Sequence, residues 1–598
     1  MFYRSLTDEQ TIRVRRARPV LALALVAFAL GAIIGARGAT SASDALAARF
    51  VAAWARSDYA AMYGNVDAAT RRSLTADGFA AAYAEAMRTA TATSLRAVGK
   101  PRTAGNGVVS VPVSVRTRLF GTLALDLRLR IASEGERGET IAWSRSLTFP
   151  GMLPGETLSR QTTLPPRAKL LSREGSVLAE GAATEAGTRS SALGAAASAV
   201  IGEVGPIPSS RRAALEAQGV PANAIVGTSG LERALDAQLR GTPGGELLAG
   251  SGQSGAAPRV LASALPHAGS AVRTTVSPAI QQAAVGALGS QLGGVVALDP
   301  ASGQILAVAG IGLNSVQPPG STFKMVTLTG ALGAQIATPR TVFPYATYAT
   351  LDGVKLNNAN GEECGGSLEL AFAVSCNSVF SPLGVKLGAA RLVAMAERFG
   401  FNHDPGIDGA AESTLPSAAS IQGELDVGST AIGQGQVQAS ALEMALVAAS
   451  IADGGRRPRP TFTPGRAAPG AYVTSASVAH TVRHLMIEVV RKGTGTSAAI
   501  PGVTVAGKTG TAELKTVCSS SSSSGDEAEA SQRSGESSSA CVGPASEASN
   551  TDAWFAAFAP ALHPRIAVCV LLVKDGAGGT TAAPVAREVL EAGLSATR

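Results

Sequence analysis

No two cysteines stand three positions apart in a Cys-x-x-Cys pair anywhere in the 598-residue chain, and its five histidines (His267, His403, His480, His484, His563) are scattered. The ligand spacings of structural zinc sites are missing, so no metal is expected. Charge is scarce too: Asp, Glu, Lys and Arg make up 16% against 45% apolar residues, which excludes a solvated, disordered chain and reads as globular. The net charge of +7 forms no concentrated basic face. Residues 1–18 carry Arg4, Arg13, Arg15, Arg16 and Arg18 against Asp8 and Glu9, and the remaining excess is spread along the chain. Basic residues interleaved with aromatics are also lacking, so no nucleic-acid partner is expected.

What is present begins with Pro19 to Ala36, an uninterrupted apolar run behind those arginines. As a helix it would span about 27 Å, close to the hydrocarbon thickness of a bilayer. The positive flank is N-terminal, so residues 1–18 are expected as a cytoplasmic tail, 19–36 as a single-pass anchor, and everything after residue 37 outside the cytoplasm. The alternative is a cleaved signal peptide with Ser41-Ala42-Ser43 at the cleavage site, although a signal's apolar core is usually shorter. Five cysteines in an exported chain permit two disulfides and one leftover thiol. Cys364 and Cys376 flank a short segment, as do Cys518 and Cys541; Cys569 sits in the apolar run Ile566 to Val573 and is expected in a buried strand.

Behind the anchor, Leu46, Phe50 and Trp54 repeat at helical spacing after Ser43-Asp44, and Phe79, Tyr83 and Met87 do so after Thr75. Alternation takes over at Val109, Val111, Val113 and Val115, and again from Leu123 to Ile131. Two helices followed by long alternating strands predict a small α+β domain over 41–150, with one sheet face covered. Gly241 to Ala257 reads as a flexible loop. From about residue 270, Gly293 to Pro300 and Ile305 to Ala309 read as a hairpin, Leu368 to Val379 as one helix, Trp554-Phe555 and Ile566 to Val573 as strands, and Thr580 to Leu594 as a closing helix. The polar tract Ser519 to Ser549 cannot bury a core and reads as a loop. A bridge between Cys518 and Cys541 would close a loop of about 24 residues across it, worth on the order of 3 kcal/mol.

The candidate chemistry starts at Ser321-Thr322-Phe323-Lys324 behind Pro318-Pro319-Gly320. If Ser321 opens a helix, Lys324 shares its face and can aim its amine at the hydroxyl. Helix N-terminal amides there favour developing negative charge, and a desolvated lysine can lose its proton near neutral pH. Alone, the tetrad reads more readily as an ordinary helix start, since Ser-x-x-Lys occurs by chance in many chains. Ser375-Cys376-Asn377 and Lys508-Thr509-Gly510-Thr511 follow it in order. The three motifs at domain-scale spacing resemble the signature set of penicillin-binding proteins and class A β-lactamases.

Arg167-Ala168-Lys169, Ser172-Arg173-Glu174-Gly175 and Gly230-Leu231-Glu232 resemble the pedestal, or dimerisation, motif of class B penicillin-binding proteins, although Ala168 and Ser172 depart from the usual Arg-Gly and Asp-Arg. The 41–150 domain resembles the nuclear-transport-factor-two-like N-terminal domain of some members. The resemblance implies an α+β multidomain, membrane-anchored protein with a pedestal at 151–268 and a transpeptidase/β-lactamase-like domain at 270–598, an antiparallel sheet flanked by helices. It implies a peptidoglycan D,D-transpeptidase with Ser321 as nucleophile, Lys324 as base, Ser375 as proton relay and Asn377 on the substrate amide. Lys508 would hold Lys324 neutral, and Thr509, Gly510 and Thr511 would form the substrate-binding strand. Ser321 and Thr511 N–H groups would form the oxyanion hole, contributing roughly 3–4 kcal/mol per donor. Stem peptides and β-lactams are the implied ligands, a SEDS-family membrane glycosyltransferase the implied partner, and no cofactor is implied.

Several alternatives remain open. A D,D-carboxypeptidase uses the same site with water as acceptor. A β-lactam sensor would bind covalently but should carry further spans and a cytoplasmic output domain. A β-lactamase would need fast deacylation and fits poorly with the long N-terminal half. A class A protein would need a glycosyltransferase domain, and a non-catalytic scaffold should have lost a motif residue.

Overall fold

The computed structural model describes residues 41–133, 135, 138–251, 257–465, 470–513 and 550–596. The expected tail, the anchor at 19–36, the polar tract 519–549 and the Cys518–Cys541 bridge lie outside the described residues. Among the described residues no single helix is long and apolar enough to cross a membrane.

The chain divides into two compact units. The first gathers the chain up to Pro165 with Ser209–Ala224 and Thr242–His267, so the stretch expected as one pedestal at 151–268 contributes to both units. In this unit α1 (Ala42–Ala55) is capped by Ser41, whose hydroxyl accepts from the Asp44 N–H, rather than by Ser43-Asp44. Leu46, Phe50 and Trp54 line its buried face. In α2 (Ala76–Thr89), capped by Thr75, Phe79 and Tyr83 are fully buried. Two short helices that sequence periodicity did not mark, Tyr59–Gly64 and Ala68–Ser73, lie between them; six residues are too few to display a 3.6-residue repeat.

Strands β1 (Ala92–Ala97), β2 (Val108–Thr117), β3 (Thr122–Ser133) and β4 (Glu139–Ile141) form an antiparallel sheet in that order. Val109, Val111, Val113 and Val115 are all buried against the helices, as alternation requires. A second sheet joins β5 (Thr157–Thr163), β6 (Gly244–Gly250) and β7 (Arg259–Ala264), with β6 in the centre. The glycine-rich stretch expected as a loop thus holds a central strand. Leu247 and Leu248 supply apolar burial, and Gly245 permits an approach in which a Cβ would meet the Gln161 carbonyl at 2.0 Å.

The second unit holds the rest. Arg167 and Glu232, from the two stretches resembling the pedestal motif, meet in a buried ion cluster: Arg167 reaches Glu232 at 2.6 Å and Asp236 at 2.8 Å, and Arg189 reaches Glu232 at 2.7 Å. Its main sheet is fully antiparallel. It comprises β8 (Gly293–Leu298), β9 (Ile305–Gly310), β10 (Ala506–Glu513), β11 (Thr551–Ala559) and β12 (Ile566–Leu572), in the order β9-β8-β12-β11-β10. Both faces are covered, which is why these strands read as continuous apolar runs. Along β12, Val568, Val570 and Leu572 pack with α3 (Pro278–Leu288) and α9 (Ala582–Ala596), while Ala567, Cys569 and Leu571 face the central helical block. Cys569 is buried there as a free thiol.

Helices α4 (Lys324–Gly333), α5 (Leu368–Ala373), α6 (Asn377–Leu387), α7 (Ala441–Ala452) and α8 (Ala476–Lys492) form that block. Every residue of α7 is buried, so it has no polar face. The expected single helix from Leu368 to Val379 is broken. α5 ends at Ala373, Ser375 takes the left-handed backbone (φ 61°), and α6 starts at Asn377.

Candidate active site

Gly320–Phe323 forms a 3-10 turn that runs directly into α4, placing Ser321 one turn before Lys324. The turn docks on the edge strand β10 through main chain. Gly320 has φ 51°, and a Cβ there would lie 2.7 Å from the Thr511 carbonyl oxygen; a Cβ on Gly510 would lie 2.7 Å from the Pro319 carbonyl. On the other side the Gly320 N–H donates to the Gly433 carbonyl at 3.0 Å, which seats the Gly433-Gln434-Gly435 segment against the turn. Ser321 is half-buried, and its hydroxyl has no hydrogen-bond partner among the described residues.

Lys324 is fully buried, and its Nζ donates to the Ser375 carbonyl at 2.7 Å and to Asn377 Oδ1 at 2.6 Å. Ser375 Oγ lies farther from it, at 3.4 Å. Lys508, also buried, donates to Ser375 Oγ at 2.8 Å and to the Thr509 carbonyl at 3.0 Å. Burial, and secondarily the Lys508 charge, push the Lys324 ammonium well below the ordinary lysine range; burial alone brings Lys508 down to about 7. Neutral Lys324 has two hydrogens and one lone pair. Its two short bonds use both hydrogens, which leaves the lone pair for a hydroxyl proton.

Lys324, Ser375, Asn377 and Lys508 therefore meet in one hydrogen-bonded cluster, with Ser321 one turn before Lys324. The strand residues divide between two faces. Lys508 pairs across from Ala556 and Thr509 from Phe555, so they point to opposite sides of the sheet. The Thr509 hydroxyl bonds Thr494 Oγ1 at 2.6 Å and is 4% exposed, whereas Thr511 is half-buried and accepts weakly from the Gly578 N–H at 3.4 Å. Asn377 donates from Nδ2 to the Asn357 carbonyl at 2.9 Å, which leaves one amide hydrogen. Sequence reasoning missed Thr494 and Asn357, because neither lies in a local pattern with the residue it touches.

An antiparallel sheet between helices, with a serine–lysine turn docked on a lysine-bearing edge strand, is the construction of the penicillin-interacting serine acyl-transferases. The penicillin binding protein transpeptidase domain matches residues 293–591, half of the chain. The chain belongs to the penicillin-binding protein transpeptidase family. The penicillin-binding protein dimerisation domain matches 182–274, and the NTF2-like N-terminal transpeptidase domain matches 42–156.

A curated relative, the peptidoglycan D,D-transpeptidase PbpA of Mycolicibacterium smegmatis, is 33% identical over 445 residues, 61% of this chain and 80% of the relative. Among solved structures, the D,D-transpeptidase domain of a peptidoglycan glycosyltransferase from Eggerthella lenta is similar at 29% identity and a TM-score of 0.54, covering 72% of this chain and 98% of that one. Penicillin-binding protein A of M. tuberculosis, as its penicillin G acyl-enzyme complex, is similar at 28% identity and a TM-score of 0.53, covering 72% and 99%.

Proposed function

We propose that the chain is a serine peptidoglycan D,D-transpeptidase acting through an acyl-enzyme on Ser321. Family membership supports the reaction class, and one observation carries the residue roles: a buried Lys324, its ammonium disfavoured by burial and both hydrogens of its neutral form already engaged, one turn after an unbonded serine hydroxyl. Ser321 Oγ attacks the carbonyl between the two D-alanines of a stem peptide, and its proton passes to Lys324 Nζ. The Ser321 and Thr511 N–H groups hold the oxyanion. The C–N bond then breaks, the leaving D-alanine amine takes a proton through Ser375, and an ester remains on Ser321. An amine of a neighbouring stem attacks that ester, its proton returns through the same relay, and Ser321 leaves protonated. Asn377 holds the substrate amide with its remaining N–H, and Thr511, with the Gly510 backbone, lines the carboxylate end. Thr509 supports that strand through Thr494. A β-lactam opened by Ser321 keeps its leaving amine tethered, so the acceptor cannot enter and the ester persists.

The wider architecture follows the same reading. Residues 1–18 form a cytoplasmic tail, 19–36 a single-pass membrane anchor, 41–150 an NTF2-like spacer, 151–268 the pedestal and 270–598 the catalytic domain outside the cytoplasm. By analogy with class B proteins, a SEDS-family membrane glycosyltransferase supplies the glycan strands.

The test is reaction of the full-length protein in detergent with a synthetic stem peptide and an amine acceptor. Cross-linked product, lost in Ser321→Ala together with fluorescent-penicillin labelling, is the expected result. Release of D-alanine without cross-linked product would show a carboxypeptidase instead, and an undiminished penicillin adduct on Ser321→Ala would falsify the nucleophile.

A further inference from the structure

The helix that presents Asn377 begins without a cap of its own. Cys376 occupies the N-cap position of α6 and its side chain caps nothing, so the first-turn N–H groups look elsewhere for acceptors. One is supplied from outside the helix: Asn358 Oδ1 accepts from the Ser378 N–H at 2.8 Å. Asn358 is 5% exposed and follows the strand Val354–Asn357. Its Nδ2 donates to the Ala346 carbonyl at 2.7 Å, to the Glu362 carbonyl at 2.8 Å and to Ser378 Oγ at 3.2 Å.

A second link lies beside the first. The Cys364–Cys376 disulfide ties the middle residue of the Ser375-Cys376-Asn377 motif to the strand Cys364–Ser367. Cys376 Sγ and Cys364 Sγ also lie 3.1 Å and 3.8 Å from Ser378 Oγ. The residue before Asn358 completes the arrangement, because the Asn357 carbonyl accepts from Asn377 Nδ2.

We infer that Asn358 is a positioning residue for the transpeptidase reaction: capping α6 in trans, it sets Asn377, and through the adjoining left-handed turn Ser375, against Lys324. The disulfide fixes where the turn sits, and Asn358 fixes the direction in which the helix leaves it. Local helix propensity cannot do this, since α5 and α6 meet at a backbone conformation that costs about 1–2 kcal/mol for a residue with a side chain. External bonds must hold it. A misplacement of about 1 Å in such a constellation slows the chemistry by up to about a hundredfold.

The inference rests on the residue roles proposed above, and the test separates the two. Second-order acylation by a fluorescent penicillin is measured on the full-length protein in detergent, per folded molecule, with the Cys364–Cys376 bridge verified by non-reducing peptide mapping. Asn358→Ala removes both the cap and the donors. Asn358→Asp keeps an acceptor for the Ser378 N–H but sets a buried carboxylate oxygen against the Ala346 and Glu362 carbonyls, where Nδ2 donated, so it breaks the link from its other end. Both variants should slow acylation between about tenfold and a hundredfold and move the midpoint of the acidic limb of its pH profile, because both free Asn377 and Ser375 from their placement against Lys324. Should Asn358→Ala not fold, Asn358→Ser takes its place: its hydroxyl is too short to reach Ser378, and it must fall as far. Acylation of the uncapped variant within about threefold of wild type, or a slowed variant whose acidic midpoint stays in place, overturns the positioning role. Labelling of a Ser321→Ala control overturns the residue roles instead.

Discussion

Replacing Lys508 by Met removes a charge beside Lys324 while keeping an unbranched apolar side chain in the same buried space. The two ammonium nitrogens both approach Ser375 Oγ, at 3.4 and 2.8 Å, so they stand no farther apart than roughly 6 Å. At an effective dielectric near 20, two unit charges at that limiting separation repel by about 2.8 kcal/mol, and by more if they stand closer. Burial lowers both lysines, and Lys324 is lowered further by the Lys508 charge, so the repulsion acts on Lys324. The repulsion holds the Lys324 value down, and its loss must raise that value. Burial, the larger cause, remains, so Lys324 stays below the ordinary lysine range. The base must be neutral to act, hence the acidic limb of acylation moves to higher pH, by at least about half a unit. The assay is the second-order rate constant for fluorescent-penicillin acylation across the pH range, read as the midpoint of the acidic limb. Plateau height is set aside, because Lys508→Met also removes a charge from the cleft. A midpoint that stays in place or moves to lower pH would refute the argument that Lys508 helps keep Lys324 neutral.

Two further outcomes test the scaffold. Gly320→Ala adds a methyl group 2.7 Å from the Thr511 oxygen at a positive φ, and strain plus overpacking should destabilise the second unit by about 2–5 kcal/mol and slow acylation; unchanged thermal unfolding and labelling would count against the backbone contact. Glu232→Ala strands the buried Arg189 guanidinium and leaves Arg167 with Asp236 alone, and should cost about 3–5 kcal/mol, whereas a loss below 1 kcal/mol in chemical denaturation would show that the cluster relaxes.

The catalytic motifs were legible in the sequence because each is local: a serine and a lysine one turn apart, a serine and an asparagine flanking one residue, a lysine at the head of a strand. Their convergence was legible only through the order of the motifs. The antiparallel sheet was readable where strands are buried on both faces, as in Ile566–Leu572. What escaped was imposed from a distance. The break at Ser375 is held by Lys324, Asn358 and Cys364, each distant along the chain, while the residues before it, Leu368–Ala373, are ordinary helix formers. β6 escaped for the converse reason: its glycines looked like loop punctuation, yet they are what lets a neighbouring strand come close.

The seam between the serine turn and the edge strand is made of main chain, at Gly320 and Gly510. Every amino acid carries the same carbonyl, so exchanging side chains cannot adjust such a seam by degrees: a substitution either leaves it intact or forces it apart. Selection for slower reaction with an inhibitor therefore has no gradual path through this part of the molecule. Graded change is available instead on neighbouring ground that tolerates variety, such as Val342, Tyr345 and Tyr348, whose side chains lie in the open on the segment leading to Asn357 and Asn358.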